Sequence, residues 1–182
     1  MTTHDFTLII DGDVDSDANI NALFEAGCDD ATFGACTPHL EAFGDFSRDA
    51  ATLSQAILSA IDDVESVPGL TVRRVEPEDL VTSAEIAERL GRSRESVRLL
   101  ANGERGPGGF PQPVSHIRAR TRLWRWSDIA EWAQLPDADR ERAHIIASTN
   151  AALDLRANAA GVPAADRKAI TAVSLRRRPL AS

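Results

Sequence analysis

Apolar residues recur at short spacings through the first part of the chain, and the spacing alternates between strand-like and helix-like. The run DFTLII at 5–10 is rich in β-forming residues and is followed by the turn signal DGD at 11–13. Ile20, Leu23 and Phe24 then recur at helical spacing. The same reasoning predicts strands at 5–10, 31–37, 40–47 and 70–75, and helices at 16–26 and 50–66.

The resulting order, β-α-β-β-α-β, predicts an α+β fold that begins with a ferredoxin-like domain over residues 1–77. In that arrangement two helices cover one face of an antiparallel sheet, and the other face is open. Pro77 and the three acids around it at 76–79 do not readily extend a strand, so we expect a linker there.

A pair of short helices is predicted after the linker. Thr82 and Glu85 have the spacing of a capping box, in which each side chain binds a backbone N–H of the other residue. Gly91 suits the end of that first helix, and Ser93 can cap a second helix that ends near 102. The pattern is typical of a helix-turn-helix, although other helical hairpins share it. The inward-facing positions are Ile86, Ala87, Leu90, Val97 and Leu100.

A hairpin and further helices are predicted beyond this pair. The Gly- and Pro-rich stretch 106–113 cannot be helical. Residues 114–126 suit a β-hairpin with Trp124 and Trp126 directed into a core, and a helix starts at 127–128. Another helix is predicted at 137–159, where it would pack on this second unit or pair between subunits. We therefore divide the chain into segments 1–77, 78–135 and 136–182.

Three stretches of the second unit occur together in a fixed order: VTSAEIA at 81–87, GFPQP at 109–113 and RLWRWSDIAEW at 122–132. In this respect the region from 80 to 134 resembles the excisionase/AlpA-like branch of MerR-type winged helix-turn-helix proteins. The resemblance implies double-stranded DNA binding, with the second helix in the major groove and the hairpin, or wing, on the flanking backbone. The long acidic domain in front departs from the short members of that family.

The distribution of charge agrees with that implication. The chain has a net charge of −8, yet residues 1–81 hold 17 acids and 3 arginines. Residues 82–126 hold 9 arginines and 4 glutamates, a net charge of +5. The local field decides where a phosphate binds, so the acidic total does not exclude DNA.

The second helix, 93–102, is the predicted recognition helix, and arginines around it are the predicted phosphate ligands. Glu95 either accepts from a cytosine amine or holds Arg98 or Arg92 in place. A solvated charged face is the alternative for all these arginines. The residues expected at base edges are Ser93, Arg94, Glu95 and Arg98, and those expected at phosphates are Arg92, Arg118, Arg120 and Arg122.

An enzymatic interpretation has one motif in its favour. The first strand followed by DGDV at 11–14 is similar to the first motif of haloacid-dehalogenase-type phosphotransferases, where the first aspartate is the nucleophile. Those enzymes also need a downstream lysine on a larger parallel sheet, and Lys168 lies beyond the DNA-binding stretch. The aspartates at 11–17 lack the spacing of an EF-hand. We predict no enzyme activity, no metal and no cofactor.

A protein-interaction function is the second alternative. The chain would then be an antitoxin or adaptor whose acidic domain binds a partner, with DNA binding for autoregulation. The open sheet face leaves two alternatives: a homodimer, because such a face often pairs with another copy, or a monomer whose first domain senses or binds something else. No apolar run approaches a membrane span and MTTHDF carries no basic leader, so we expect a cytoplasmic protein without membrane contact. Cys28 and Cys36 are expected as buried thiols.

Overall fold

The computed structural model describes residues 1–36, 41–115 and 122–174. Helices and an antiparallel sheet occur together, which confirms the predicted α+β class. In chain order the elements are β1 (Thr2–Asp11), α1 (Asp17–Glu25), β2 (Ala31–Cys36), β3 (Glu41–Ala50), α2 (Leu53–Ser66), β4 (Thr71–Glu76), β5 (Leu80–Val81), α3 (Ser83–Arg89), α4 (Arg94–Ala101), β6 (Trp124–Arg125), α5 (Trp126–Trp132), α6 (Asp137–Ala159) and α7 (Ala164–Ser174).

Four strands form one sheet in the order β2-β3-β1-β4, with every neighbouring pair antiparallel. Side chains alternate between its faces, so that Phe6 and Phe46 lie opposite each other and stack on the core face. On the other face Thr3 donates to Asp49 and Thr7 donates to Asp45, each at 2.6 Å. An antiparallel sheet can expose one face to water, so a strand can include polar residues on that face. Accordingly, β1 is longer than the predicted strand 5–10, and β3 continues past the end of the predicted strand 40–47.

The first core lies between this sheet and helix α2. Thr52 caps α2 by accepting from the backbone N–H of Gln55 at 3.2 Å. Apolar residues at helical spacing then form a broad buried stripe. The buried residues of α2 are Leu53, Ala56, Ile57, Ala60, Ile61 and Val64.

One buried arginine of β3 joins the loop between α1 and β2 to helix α2 at the edge of this core. The guanidinium of Arg48 donates to both carboxylate oxygens of Asp30, to Asp63 at 2.6 Å, to Ser59 and to the carbonyl of Gly27. Burial alone would lower the pKa of Arg48, but the hydrogen bonds that it donates to the two carboxylates outweigh burial and raise the pKa above its ordinary value. Each charged group in this site is therefore hydrogen-bonded and lies against a charge of the opposite sign, as a buried ion requires.

Helix α6 covers the outer edge of β4. The side-chain amide of Asn150 accepts from the backbone N–H of Val75 at 2.7 Å and donates to its carbonyl at 2.9 Å. Arg156 donates to the carbonyl of Val72 at 3.0 Å. An exposed strand edge invites pairing with another chain, and α6 satisfies those backbone groups instead. Ile146 and Leu153 of α6 are buried in the first core, and α6 also lies beside α5.

A second core cluster lies between α3, α4, α5 and the β5–β6 pair. Phe110 contacts the rings of Trp124 and Trp132 edge-on. The indole N–H of Trp124 donates to the carbonyl of Pro111, and that of Trp132 donates to the carbonyl of Gly108. Both bonds fasten the loop that precedes the hairpin to the core.

Two features at the end of the chain differ from expectation or lie outside the structure. A further helix, α7, follows α6, whereas the sequence predicted a single C-terminal helix. The three arginines at 176–178, which form a basic tail in the sequence, lie outside the described residues. No helix in the described part of the chain is long and apolar enough to cross a membrane.

Candidate nucleic-acid interface

Local sequence signals define both ends of α3. The hydroxyl of Thr82 accepts from the backbone N–H of Glu85 at 3.3 Å, and the Glu85 carboxylate accepts from the Thr82 N–H at 2.7 Å. These two bonds form the expected capping box, and the hydrogen bond from the Thr82 backbone N–H to the Glu85 carboxylate lowers the pKa of Glu85. At the other end Gly91 takes a left-handed backbone with φ +60°, and the Arg92 N–H bonds back to the carbonyl of Ala87. The chain can therefore turn within a few residues into α4.

The short helix α4 is held at its start and along one face. Ser93 caps it by accepting from the backbone N–H of Ser96 at 3.1 Å. Val97 and Leu100 are buried against α3, with Ile86 and Ala87 on the facing side. The predicted base-facing residues Ser93, Arg94, Glu95 and Arg98 are all exposed.

Glu95 and Arg98 form a pair within α4. The Nη2 of Arg98 donates to one carboxylate oxygen of Glu95 at 2.8 Å, and its Nε donates to the other at 3.0 Å. Arg98 also reaches Glu104 at 3.4 Å. The bonds to Glu95 raise the pKa of Arg98 and lower the pKa of Glu95. Of the two roles open to Glu95, the structure shows the one in which it holds Arg98.

Two other arginines leave their guanidiniums unengaged at the start of α4. Within the described ranges, Arg92 and Arg94 form no side-chain hydrogen bond or ion pair. Arg92 shares a surface groove with Arg105, which the sequence analysis left out although it belongs to the same basic segment. The three cations are thus available to an external anion.

The structure shows the base of the predicted hairpin. Val114 donates to the carbonyl of Leu123 at 2.8 Å, and Ser115 pairs with Leu123 in an isolated bridge. Arg122 is exposed beside this base. Arg118 and Arg120, the other two predicted phosphate ligands, lie outside the described residues.

Asp79 organises the start of α5 and was missed by the sequence analysis, which treated it as part of an acidic linker. One of its carboxylate oxygens accepts from the backbone N–H of Ser127 at 2.8 Å, and the other accepts from Arg125 at 3.2 Å. Its carbonyl accepts from the Trp126 N–H at 2.6 Å. The partners of the Asp79 carboxylate lie 46 and 48 residues later in the chain, so no local sequence pattern could predict them.

Comparisons with protein-family models, curated proteins and solved structures found no match to this chain. Among residues 1–36, 41–115 and 122–174, no group of three or more histidine, cysteine or acidic side chains is placed to hold a metal ion.

Proposed function

We propose that the chain is a sequence-specific regulator that binds double-stranded DNA through a winged helix-turn-helix, attached to an acidic ferredoxin-like domain. Helix α4 would enter the major groove, and the hairpin that contains Arg122 would lie on the flanking backbone. The observation that carries the proposal is the pair of exposed, unengaged arginines, Arg92 and Arg94, at the start of a capped helix whose opposite face is buried. The strand order β2-β3-β1-β4 supports the ferredoxin-like assignment of the first unit.

The arginines would divide between two kinds of contact. Arg94, at the first turn of α4, would donate two hydrogen bonds to guanine, a contact worth about 1–3 kcal/mol of discrimination between bases. Arg92, Arg105 and Arg122 would neutralise phosphates, which adds affinity without reading sequence. Arg98 would exchange Glu95 for a base or phosphate on binding, because both side chains are exposed and water already screens their pairing.

Selection of sites from a random duplex library, followed by titration of the selected duplex at two salt concentrations, tests the proposal. We expect a slope of log affinity against log salt of about −3 to −5, since each neutralised phosphate contributes roughly −0.9. Arg94→Ala should reduce affinity for the selected site about 5- to 150-fold and relax the preference at one base pair. Arg122→Ala should weaken all duplexes alike and reduce the slope by about one.

Arg73→Ala is the matched control, because Arg73 is an exposed arginine of the acidic unit, paired with Asp11. It should leave DNA binding unchanged. The proposal is wrong if no duplex binds at low ionic strength, or if Arg94→Ala and Arg122→Ala both behave like the control. A selected site made of two half-sites about one helical turn apart would indicate a two-fold dimer.

A second candidate function follows from the open face of the first sheet. Asp5, Asp45 and Asp49 are exposed on that face, which gives an acidic surface suited to a basic protein partner. The chain would then act as an antitoxin or adaptor that also binds DNA. A partner retained by the full chain, lost at high salt and lost in Asp45→Asn/Asp49→Asn would support this function. Equal retention by wild type and variant would oppose it.

A further inference from the structure

The four-stranded sheet has two outer edges, which differ in how they are protected. At the β4 edge, Asn150 and Arg156 of α6 bond to backbone groups of the strand. At the other edge β2 is the last strand and pairs with β3 alone. Proteins block a free edge with charged residues, prolines or a covering element. The sequence of β2, ATFGAC, has no charged residue and no proline, so nothing in the strand itself opposes pairing with another strand.

Two residues of β2 direct their backbone groups away from β3. The Ser47 N–H of β3 donates to the carbonyl of Asp30 at 3.0 Å, which fixes the hydrogen-bonded positions of this antiparallel pair. Because such positions alternate, Gly34 bonds to β3, whereas the N–H and C=O groups of Phe33 and Ala35 point outwards. No described residue bonds to those outward groups. They are therefore available to an external strand.

The same stretch of β2 is complementary to itself. When two β2 strands are placed antiparallel about a two-fold axis at Gly34, Phe33 of each copy lies opposite Ala35 of the other. These residues carry the outward backbone groups, so each pair exchanges both of its hydrogen bonds, and a large side chain faces a small one. Gly34 then faces its own copy, with the Cα atoms about 4.5 Å apart as at positions that are not hydrogen-bonded.

Phe43 adds an apolar contact at the same point. It lies opposite Gly34 on β3 and shares the open face of the sheet with Asp45. A Cβ added to Gly34 would lie 2.9 Å from Cζ of Phe43, so the ring covers the glycine and extends towards the free edge. Opposite Cβ positions of paired strands are about 4.5–5.5 Å apart. The tips of the two Phe43 rings would therefore meet across the two-fold axis.

We propose that β2 pairs antiparallel with β2 of a second copy of this chain, which joins the two sheets into one and brings the two Phe43 rings into contact. The acids of the first unit lie outside Ala31–Cys36, so their mutual repulsion acts over a distance and is screened by salt. A single strand pair is smaller than the interface of a typical stable complex, and we expect association in the micromolar range. The inference concerns the first unit and does not require that the chain bind DNA.

Sedimentation velocity of the full chain from about 5 to about 300 µM tests the proposal. We expect the mass to rise to that of a dimer within this range. Dimerisation should strengthen when salt is raised from about 50 to about 300 mM, because like charges are then screened. Amide hydrogen exchange, read by mass spectrometry, locates the contact. A peptide that covers Ala31–Cys36 should exchange about fivefold more slowly at the highest concentration, whereas one that covers β4 should not change.

Two variants test the backbone and the ring separately. Ala35→Pro removes an outward N–H but no bond to β3, and an edge strand tolerates proline at such a position. It should weaken dimerisation about tenfold or more, whereas Ala35→Ser, the matched control, keeps the N–H and should dimerise like wild type. Phe43→Ala should also weaken dimerisation about tenfold or more. Its control is Leu58→Ala, which removes an exposed apolar residue of α2 and should have no effect.

The proposal is overturned if wild type stays monomeric up to about 300 µM. It is also overturned if a dimer forms while exchange in β2 does not depend on concentration, because the dimer then uses another surface. Both outcomes are read on wild type and so do not depend on the folding of Ala35→Pro. Equal dimerisation of Ala35→Pro and Ala35→Ser, or of Phe43→Ala and Leu58→Ala, would contradict it as well.

Discussion

Replacing Asp79 by alanine removes the acceptor that holds the start of α5 to the segment after β4. The Asp79 side chain is only 7% exposed, and the Ser127 N–H that it binds belongs to a residue that is 4% exposed. Water therefore cannot readily replace the carboxylate. The variant tests whether this one contact joins the beginning of the second core to its last helix.

The expected cost can be worked from the bonds that are lost. Loss of a helix-capping acceptor costs about 1 kcal/mol and up to about 2 kcal/mol. Leaving the buried Ser127 N–H without a partner puts the loss towards the upper end of about 1–3 kcal/mol. The pair with Arg125, whose side chain is half exposed, contributes less than about 1 kcal/mol. We therefore expect Asp79→Ala to destabilise the second unit by about 2–3 kcal/mol.

Urea denaturation followed by tryptophan fluorescence measures this change selectively. The chain has three tryptophans, at 124, 126 and 132, and no tyrosine, so the signal comes from the second unit. With a slope of about 1–2 kcal/mol per molar urea, the midpoint should fall by about 1–3 M. Asp79→Asn keeps an acceptor oxygen for Ser127 and should cost about half as much.

Glu78→Ala is the matched control, because Glu78 is an exposed neighbouring acid whose side chain pairs with Arg74. Its midpoint should change little, as is usual for a surface pair. If the free energies of unfolding of Asp79→Ala and Glu78→Ala agree within about 0.5 kcal/mol, the assignment of Asp79 as the cap of α5 is refuted.

Two further predictions concern the first unit. Arg48→Met should destabilise the first unit by about 3 kcal/mol, because Asp30 and Asp63 would lose the cation that they share; urea denaturation followed by far-ultraviolet circular dichroism measures this change. Arg73→Met, which removes only an exposed ion pair, is the control and should change the free energy of unfolding by less than about 0.5 kcal/mol. Equal effects of the two variants would contradict the role of the Arg48 network. Burial raises the pKa of Cys28 from 9.0 to about 11, so iodoacetamide at pH 8, followed by peptide mapping, should leave Cys28 unmodified in the native chain and modify it in urea. The pKa of Cys28 is higher in the folded state than in the unfolded state. The contribution of the protonated thiol to stability is therefore present below pH 9.0 and is lost as the pH rises towards about 11.

The elements that could be predicted are those whose signals are local. The capping box at Thr82 and Glu85 and the glycine at 91 both place hydrogen bonds within a few residues, and the structure contains both. The helix capped by Ser93 begins where its sequence predicted. The pairing of Glu95 with Arg98 was predicted only as one of two alternatives for Glu95. The spacing of two side chains does not determine whether a carboxylate binds a neighbouring arginine or an external ligand.

The sequence by itself determined where most of the strands and helices lie, although not β5 or α7, which of their faces are apolar, and where the arginines are concentrated. These properties follow from periodicity and from bonds between residues three or four apart. Only the tertiary structure decided that Asn150 pairs with the edge of β4, 75 residues away, and that Asp79 caps a helix beginning 47 residues later. It also decided that the guanidinium of Arg89 lies over the ring of Trp126, 37 residues along the chain. Such contacts depend on how distant segments pack. The periodicity of the sequence does not show which residue a polar side chain will bind when the two are far apart in the chain.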